Sequence, residues 1–119
     1  MIRILTDREC TDAMKNGAFD PFPGTGALIL TQSWCPQWKA MKKYLSEAEN
    51  RPSAAGSSIL YVEYDTRAFF ESFMAFKENT FKNREIPYVR YFRDGVFSGE
   101  SNYVSLQGFL HRLSGPGNR

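Results

Sequence analysis

Short apolar runs alternate along this chain with stretches in which apolar residues recur every three or four positions. Ile2 to Leu5 is a short apolar run and predicts a strand. Thr6 and Glu9 have the capping-box spacing, in which a hydroxyl and a carboxylate satisfy the orphan amides of a helix start. A helix is therefore predicted from about Asp7 to Asn16, with Gly17 suited to end it. Residues 19–26 contain two prolines and two glycines and predict a loop. Gly26 to Thr31 is continuously apolar between turn residues, the pattern of a buried central strand. Pro36 suits the first position of a second helix, where its missing N–H costs nothing. Trp38, Met41, Leu45 and Ala48 give that helix a buried face, with Lys39, Lys42 and Lys43 off it.

A polar loop over residues 50–58 leads to a second central strand, Ile59 to Tyr64. Asp65 to Asn83 is predicted as a helix carrying Phe69, Phe70, Phe73, Met74 and Phe76 on one broad arc, with Phe81 further along. Ile86–Pro87 breaks it. Tyr88 to Phe92 predicts a strand, Asp94-Gly95 a hairpin turn, and Val96 to Ser101 the paired strand. Ser105 to Leu113 closes as a helix whose inward face is Leu106, Phe109, Leu110 and Leu113. The order βαβαβαββα predicts an α/β domain with a central mixed sheet flanked by helices: parallel strands joined by crossovers, and an antiparallel hairpin at one side. Residues 1–113 form the single domain, and 114–119 a tail expected to fray.

Composition narrows the function classes. A chain of 119 residues suits one domain. Fifteen basic against thirteen acidic residues is too even a balance for an electrostatic nucleic-acid binder. The longest aliphatic run, Ala27 to Leu30, is too short to span a bilayer. No basic head followed by an apolar stretch marks the N-terminus, so no secretory signal is expected. Two cysteines fit a reducing compartment, and a cytoplasmic location is expected. Ten phenylalanines suggest a bulky core or a hydrophobic contact surface. The Phe69, Phe70, Phe73 and Phe76 arc reads first as core, but its width would allow part of it to serve as a partner or dimer surface. His111 projects away from the apolar face of the last helix, with no cysteine or carboxylate neighbours in the pattern, so no metal site is expected.

Cys35 is the candidate reactive group. It follows a strand and stands at the expected N-cap of a helix, where unpaired N–H groups and the positive end of the helix dipole favour a thiolate over a thiol. A thiolate attacks disulfides, and that first step needs one sulfur only. Cys10 lies on the inward face of the first helix with Ala13 and Met14 and reads as a small buried hydrophobe. A Cys10–Cys35 bridge would need Cα atoms within about 7 Å, which the predicted topology does not supply.

The order of elements resembles the thioredoxin superfamily over nearly the whole chain, from Ile2 to about Leu113. Two motifs carry the resemblance. Ser33-Trp34-Cys35-Pro36-Gln37-Trp38-Lys39, between a strand and a helix, is similar to the family's Trp-Cys-x-x-Cys-Lys segment with the second cysteine replaced. Ile86-Pro87, opening a strand that turns at Asp94-Gly95, is similar to its cis-proline loop and terminal hairpin. The resemblance implies that Pro87 is cis and that Ile86 offers its backbone to an extended substrate segment facing Cys35. Trp34, Pro36 and Gln37 flank the thiol and are expected to face substrate, while Trp38 reads either as a core aromatic of the helix stripe or as a wall that shields Cys35 and narrows which disulfides reach it. Trp38 stands in the place of the resolving cysteine, and Ile29 in that of a buried aspartate.

Two functions follow as expectations. The first is monothiol thiol–disulfide exchange: Cys35 attacks a protein disulfide or mixed disulfide, and an external thiol such as glutathione resolves the product. No resident cofactor is expected. The second is a non-catalytic thioredoxin-fold module that binds protein partners, since fold does not dictate chemistry.

Overall fold

The computed structural model describes residues 1–19 and 22–114. Its elements are β1 (Ile2–Ile4), α1 (Asp7–Asn16), β2 (Gly26–Thr31), α2 (Pro36–Glu49), β3 (Ser58–Glu63), α3 (Phe70–Phe81), β4 (Tyr88–Arg93), β5 (Val96–Ser101) and α4 (Leu106–Ser114). The strands form one sheet in the order β1-β3-β2-β4-β5. β3 runs parallel to both β1 and β2, whereas β4 is antiparallel to β2 and β5 to β4. Gly26 starts β2 so close to β3 that a Cβ there would lie 1.8 Å from the Ser58 carbonyl oxygen. Only glycine permits that approach.

The central strands β2, β3 and β4 are largely buried on both sides, so their alternation sorts side chains into two cores. Ala27, Ile29, Ile59, Val89 and Tyr91 face α2 and α4, where they meet Trp38, Met41, Leu45, Phe109 and Leu113. Leu28, Leu30, Leu60, Val62, Tyr88 and Phe92 face the other way, onto Leu5, Cys10, Phe22, Tyr64 and Phe73. The Thr6–Glu9 capping box opens α1, with the Glu9 carboxylate also held by Arg3 through paired contacts of 2.8 Å.

The expected helix over 65–83 is shorter. Tyr64–Thr66 forms a 3₁₀ turn, and α3 begins at Phe70. The first residues are held elsewhere: Asp65 binds the Ser33 backbone and hydroxyl, and Arg67 donates to the Leu5 carbonyl at 2.7 Å and pairs with Asp7. The helix ends where Lys82 turns left-handed, at φ 57°. Phe73 is fully buried, so this member of the arc is core and offers no partner surface. Phe69, Phe70 and Phe76 are half-buried and pack against the same core, with ring contacts to Tyr64, Phe73 and Phe19. Ser114, assigned to the tail by sequence, ends α4, and its hydroxyl donates to the Leu110 carbonyl at 3.1 Å. The rest of the predicted tail, and Asp20 and Pro21 of the predicted loop, lie outside the described residues.

Candidate functional site

The carboxyl end of β2 releases the chain into Gln32, Ser33 and Trp34 before α2 starts. Cys35 is the N-cap of α2, in extended backbone, with Pro36 opening the helix. The Cys35 carbonyl accepts the first helical bond, from Lys39 N–H at 3.0 Å. Asp65 fixes the turn by accepting Ser33 N–H at 2.7 Å and Ser33 Oγ–H at 2.6 Å. Gln32 bridges the indole of Trp34, whose Nε1–H it accepts at 2.7 Å, and the hydroxyl of Tyr64 at 3.3 Å. Trp34 is nevertheless 60% exposed beside the cysteine.

Cys35 is 5% exposed and its Sγ donates to the Ile86 carbonyl at 3.7 Å. It makes no capping hydrogen bond to the first-turn amides, where the sequence pattern had them holding the sulfur. The Ile86–Pro87 peptide bond is cis, and Ile86, two residues before β4, lies against Cys35. The structure thus brings together Trp34, Cys35, Ile86 and Pro87. Pro36, Gln37 and Lys39 sit on the exposed first turn of α2.

Trp38 points inward. It is fully buried among Met41 and Leu45, its ring packs 5.2 Å from Tyr61, and its Nε1–H donates to Glu63 Oε2 at 2.7 Å. Lys42 reaches the same oxygen at 3.2 Å. At position 38 the helix thus carries an indole anchored to a carboxylate, turned into the core where the sequence reading also allowed a substrate-facing role. Ile29 also lies fully buried in this core.

Cys10 is fully buried in the other core, so the sheet separates the two sulfurs. Burial pushes the Cys10 thiol up to about 12. Among the described residues no cluster of His, Cys, Asp or Glu could hold a metal ion, and His111 is exposed. No helix among them is long and apolar enough to cross a membrane.

The chain is similar to Trxlp from Edwardsiella tarda, with a TM-score of 0.65 and 16% identity over 96% of this chain and 99% of that chain. It is similar to oxidised thioredoxin O1 from Arabidopsis thaliana, with a TM-score of 0.66 and 12% identity over 94% of each chain. The chain has a thioredoxin fold. A wheat glutaredoxin matches with a TM-score of 0.50 and 17% identity, over 92% of this chain and 86% of that chain. No protein-family model and no curated protein matches the chain.

Within this thioredoxin fold, sequence reasoning missed Glu63, Asp65, Lys77 and Asn102. Lys77 is fully buried on α3 and donates from Nζ to the Glu85 carbonyl at 2.6 Å. Burial lowers its ammonium to about 8. A signal existed: Lys77 follows Phe73 at i+4 and precedes Phe81 at i+4, a core position on the helix. Asn102, just after β5, donates from Nδ2 to the Pro87 carbonyl at 3.1 Å, and no pattern in the sequence marks it.

Proposed function

We propose that the chain is a monothiol thiol–disulfide exchange protein with Cys35 as nucleophile. The observation that supports this best is the Cys35 Sγ at the start of α2, 3.7 Å from the Ile86 carbonyl of the cis-proline loop, in a thioredoxin fold. Cys35 loses its proton to solvent and attacks one sulfur of a protein disulfide or a glutathionylated cysteine. The new S–S bond forms as the old one breaks, and the second sulfur leaves as a thiolate. Trp38 contributes no thiol, so an external thiolate such as glutathione attacks the mixed disulfide, leaves as part of a new disulfide, and returns Cys35. Opening the Cys35–Ile86 contact frees the same carbonyl for an incoming extended segment, which Trp34, Pro36 and Gln37 would flank. A reducing compartment such as the cytoplasm supplies the resolving thiol.

The test is glutathione-linked reduction of hydroxyethyl disulfide and of a glutathionylated peptide, with Cys35→Ser as control. Turnover that disappears in Cys35→Ser is expected. Turnover unaffected by the substitution overturns the reading.

One observation favours a non-catalytic binding module: the sulfur is 5% exposed and faces a carbonyl rather than amide donors. On that reading a partner is captured equally well by the chain and by Cys35→Ser. Capture that requires the thiol counts against it.

A further inference from the structure

We infer that Lys77 and Asn102 are positioning residues that hold the Glu85–Pro87 segment so that Ile86 faces Cys35 and presents its backbone to an extended peptide substrate. This rests on the reading of Ile86 as a docking edge. The segment is gripped from two elements distant in sequence. From α3, Lys77 Nζ donates to the Glu85 carbonyl at 2.6 Å, with the ammonium 5.6 Å from the centre of the Tyr88 ring. From the end of β5, Asn102 Nδ2 donates to the Pro87 carbonyl at 3.1 Å and lies 3.4 Å from the Glu85 carbonyl oxygen. Asn102 is itself oriented by a reciprocal amide pair with Asn83, at 3.1 Å each way, and Asn83 Oδ1 accepts the Glu85 N–H at 3.0 Å. The carbonyls on either side of Ile86 are thereby occupied, while the Ile86 carbonyl is left to Cys35.

The choice of lysine supports a role beyond filling space. Lys77 is fully buried beside Phe73, where an ammonium is costly to desolvate and a methionine of similar length would fill the same volume freely. Its ammonium donates to the Glu85 carbonyl of the substrate loop. A docking edge adds main-chain hydrogen bonds to a peptide, and those bonds depend on the edge being fixed in advance.

The experiment uses Lys77→Met and Asn102→Ala, two variants on separate elements, so that loss of folding in one leaves the other. Their Cys35-dependent turnover of a glutathionylated peptide is compared with that of hydroxyethyl disulfide, which has no peptide backbone. Binding of the same peptide with serine in place of its cysteine is titrated against Cys35→Ser chains with and without each substitution. We expect the peptide KM and the dissociation constant to rise roughly fivefold, in line with the loss of one positioned hydrogen bond. The peptide kcat should change less than KM, and the ratio of kcat/KM for peptide to that for hydroxyethyl disulfide should fall. An unchanged dissociation constant, or equal losses on both disulfides, overturns the positioning role. Peptide binding by Cys35→Ser that weakens with the two substitutions, in a chain without turnover, sinks exchange and leaves the positioning role standing. A chain that neither binds nor turns over the peptide sinks both.

Discussion

Asp65 accepts two hydrogen bonds from Ser33, from its backbone N–H at 2.7 Å and its hydroxyl at 2.6 Å. A residue in the 3₁₀ turn after β3 thereby sets the turn that delivers Cys35 to the start of α2. Asp65→Ala should destabilise the fold by about 1–3 kcal/mol, because it leaves a part-buried N–H without its partner. Asp65→Asn should lose less, since its amide oxygen still accepts Ser33 N–H. Urea denaturation of the two variants checks the order; equal losses would show that these bonds do not govern the turn.

Trp38 should carry more stability through its volume than through its N–H. Trp38→Ala is expected to cost about 3–5 kcal/mol by opening a cavity among Met41, Leu45 and Tyr61. Trp38→Phe should cost about 1–2 kcal/mol, mainly the lost bond to Glu63, which keeps Lys42 at 3.2 Å. Denaturation midpoints separate the two contributions.

The two cysteines should label unequally. Iodoacetamide at pH 8 is expected to modify Cys35 alone in the folded chain and to reach Cys10 only on unfolding. Cys10 has no exposed surface and a thiol pushed up to about 12 by burial. Peptide mass spectrometry reads the site, and native labelling of Cys10 at a rate matching Cys35 would contradict the packing of α1.

Lys77 should leave a mark on stability in mild alkali. Its ammonium titrates near 8 when folded and near the ordinary 10.5 when unfolded. Glu78 and Glu85 oppose the lowering but burial outweighs them. Between these values the unfolded chain holds a proton that the folded chain has released, so stability rises with pH across that window. Below about 8 the full cost of the buried charge is present. The unaltered chain should therefore gain stability relative to Lys77→Met from pH 8 to 10.5, as read by urea denaturation at fixed pH. A constant difference would mean that the ammonium keeps its proton through the window.

The alternation of strands and helices was legible because each element carries its own signal. Gly26–Thr31 is apolar up to its last residue and is buried on both faces. Thr6 and Glu9 form the capping box that their spacing suggests. Asp94 and Gly95 take positive φ in the turn between β4 and β5. Cys35, Ile86 and Pro87 were singled out from local motif and order, and the fold brings Cys35 against Ile86. The start of α3 was not, because Asp65 and Arg67 have helix-compatible neighbours but are recruited by Ser33 and Leu5, residues roughly thirty and sixty positions away. The sulfur's environment was missed for a similar reason: a helix start predicts amide donors, but the Ile86 carbonyl that Cys35 meets lies fifty-one residues on. Lys77 and Asn102 act on the backbone of a distant loop, and such contacts follow from tertiary packing alone.

The sheet that stands between Cys10 and Cys35 limits what an oxidant can make of this molecule. An intrachain cystine is closed to it without unfolding, so every disulfide that the native protein forms must be a bond to something else. Its disulfide form is therefore an adduct or a crosslinked pair, recognisable by its added mass.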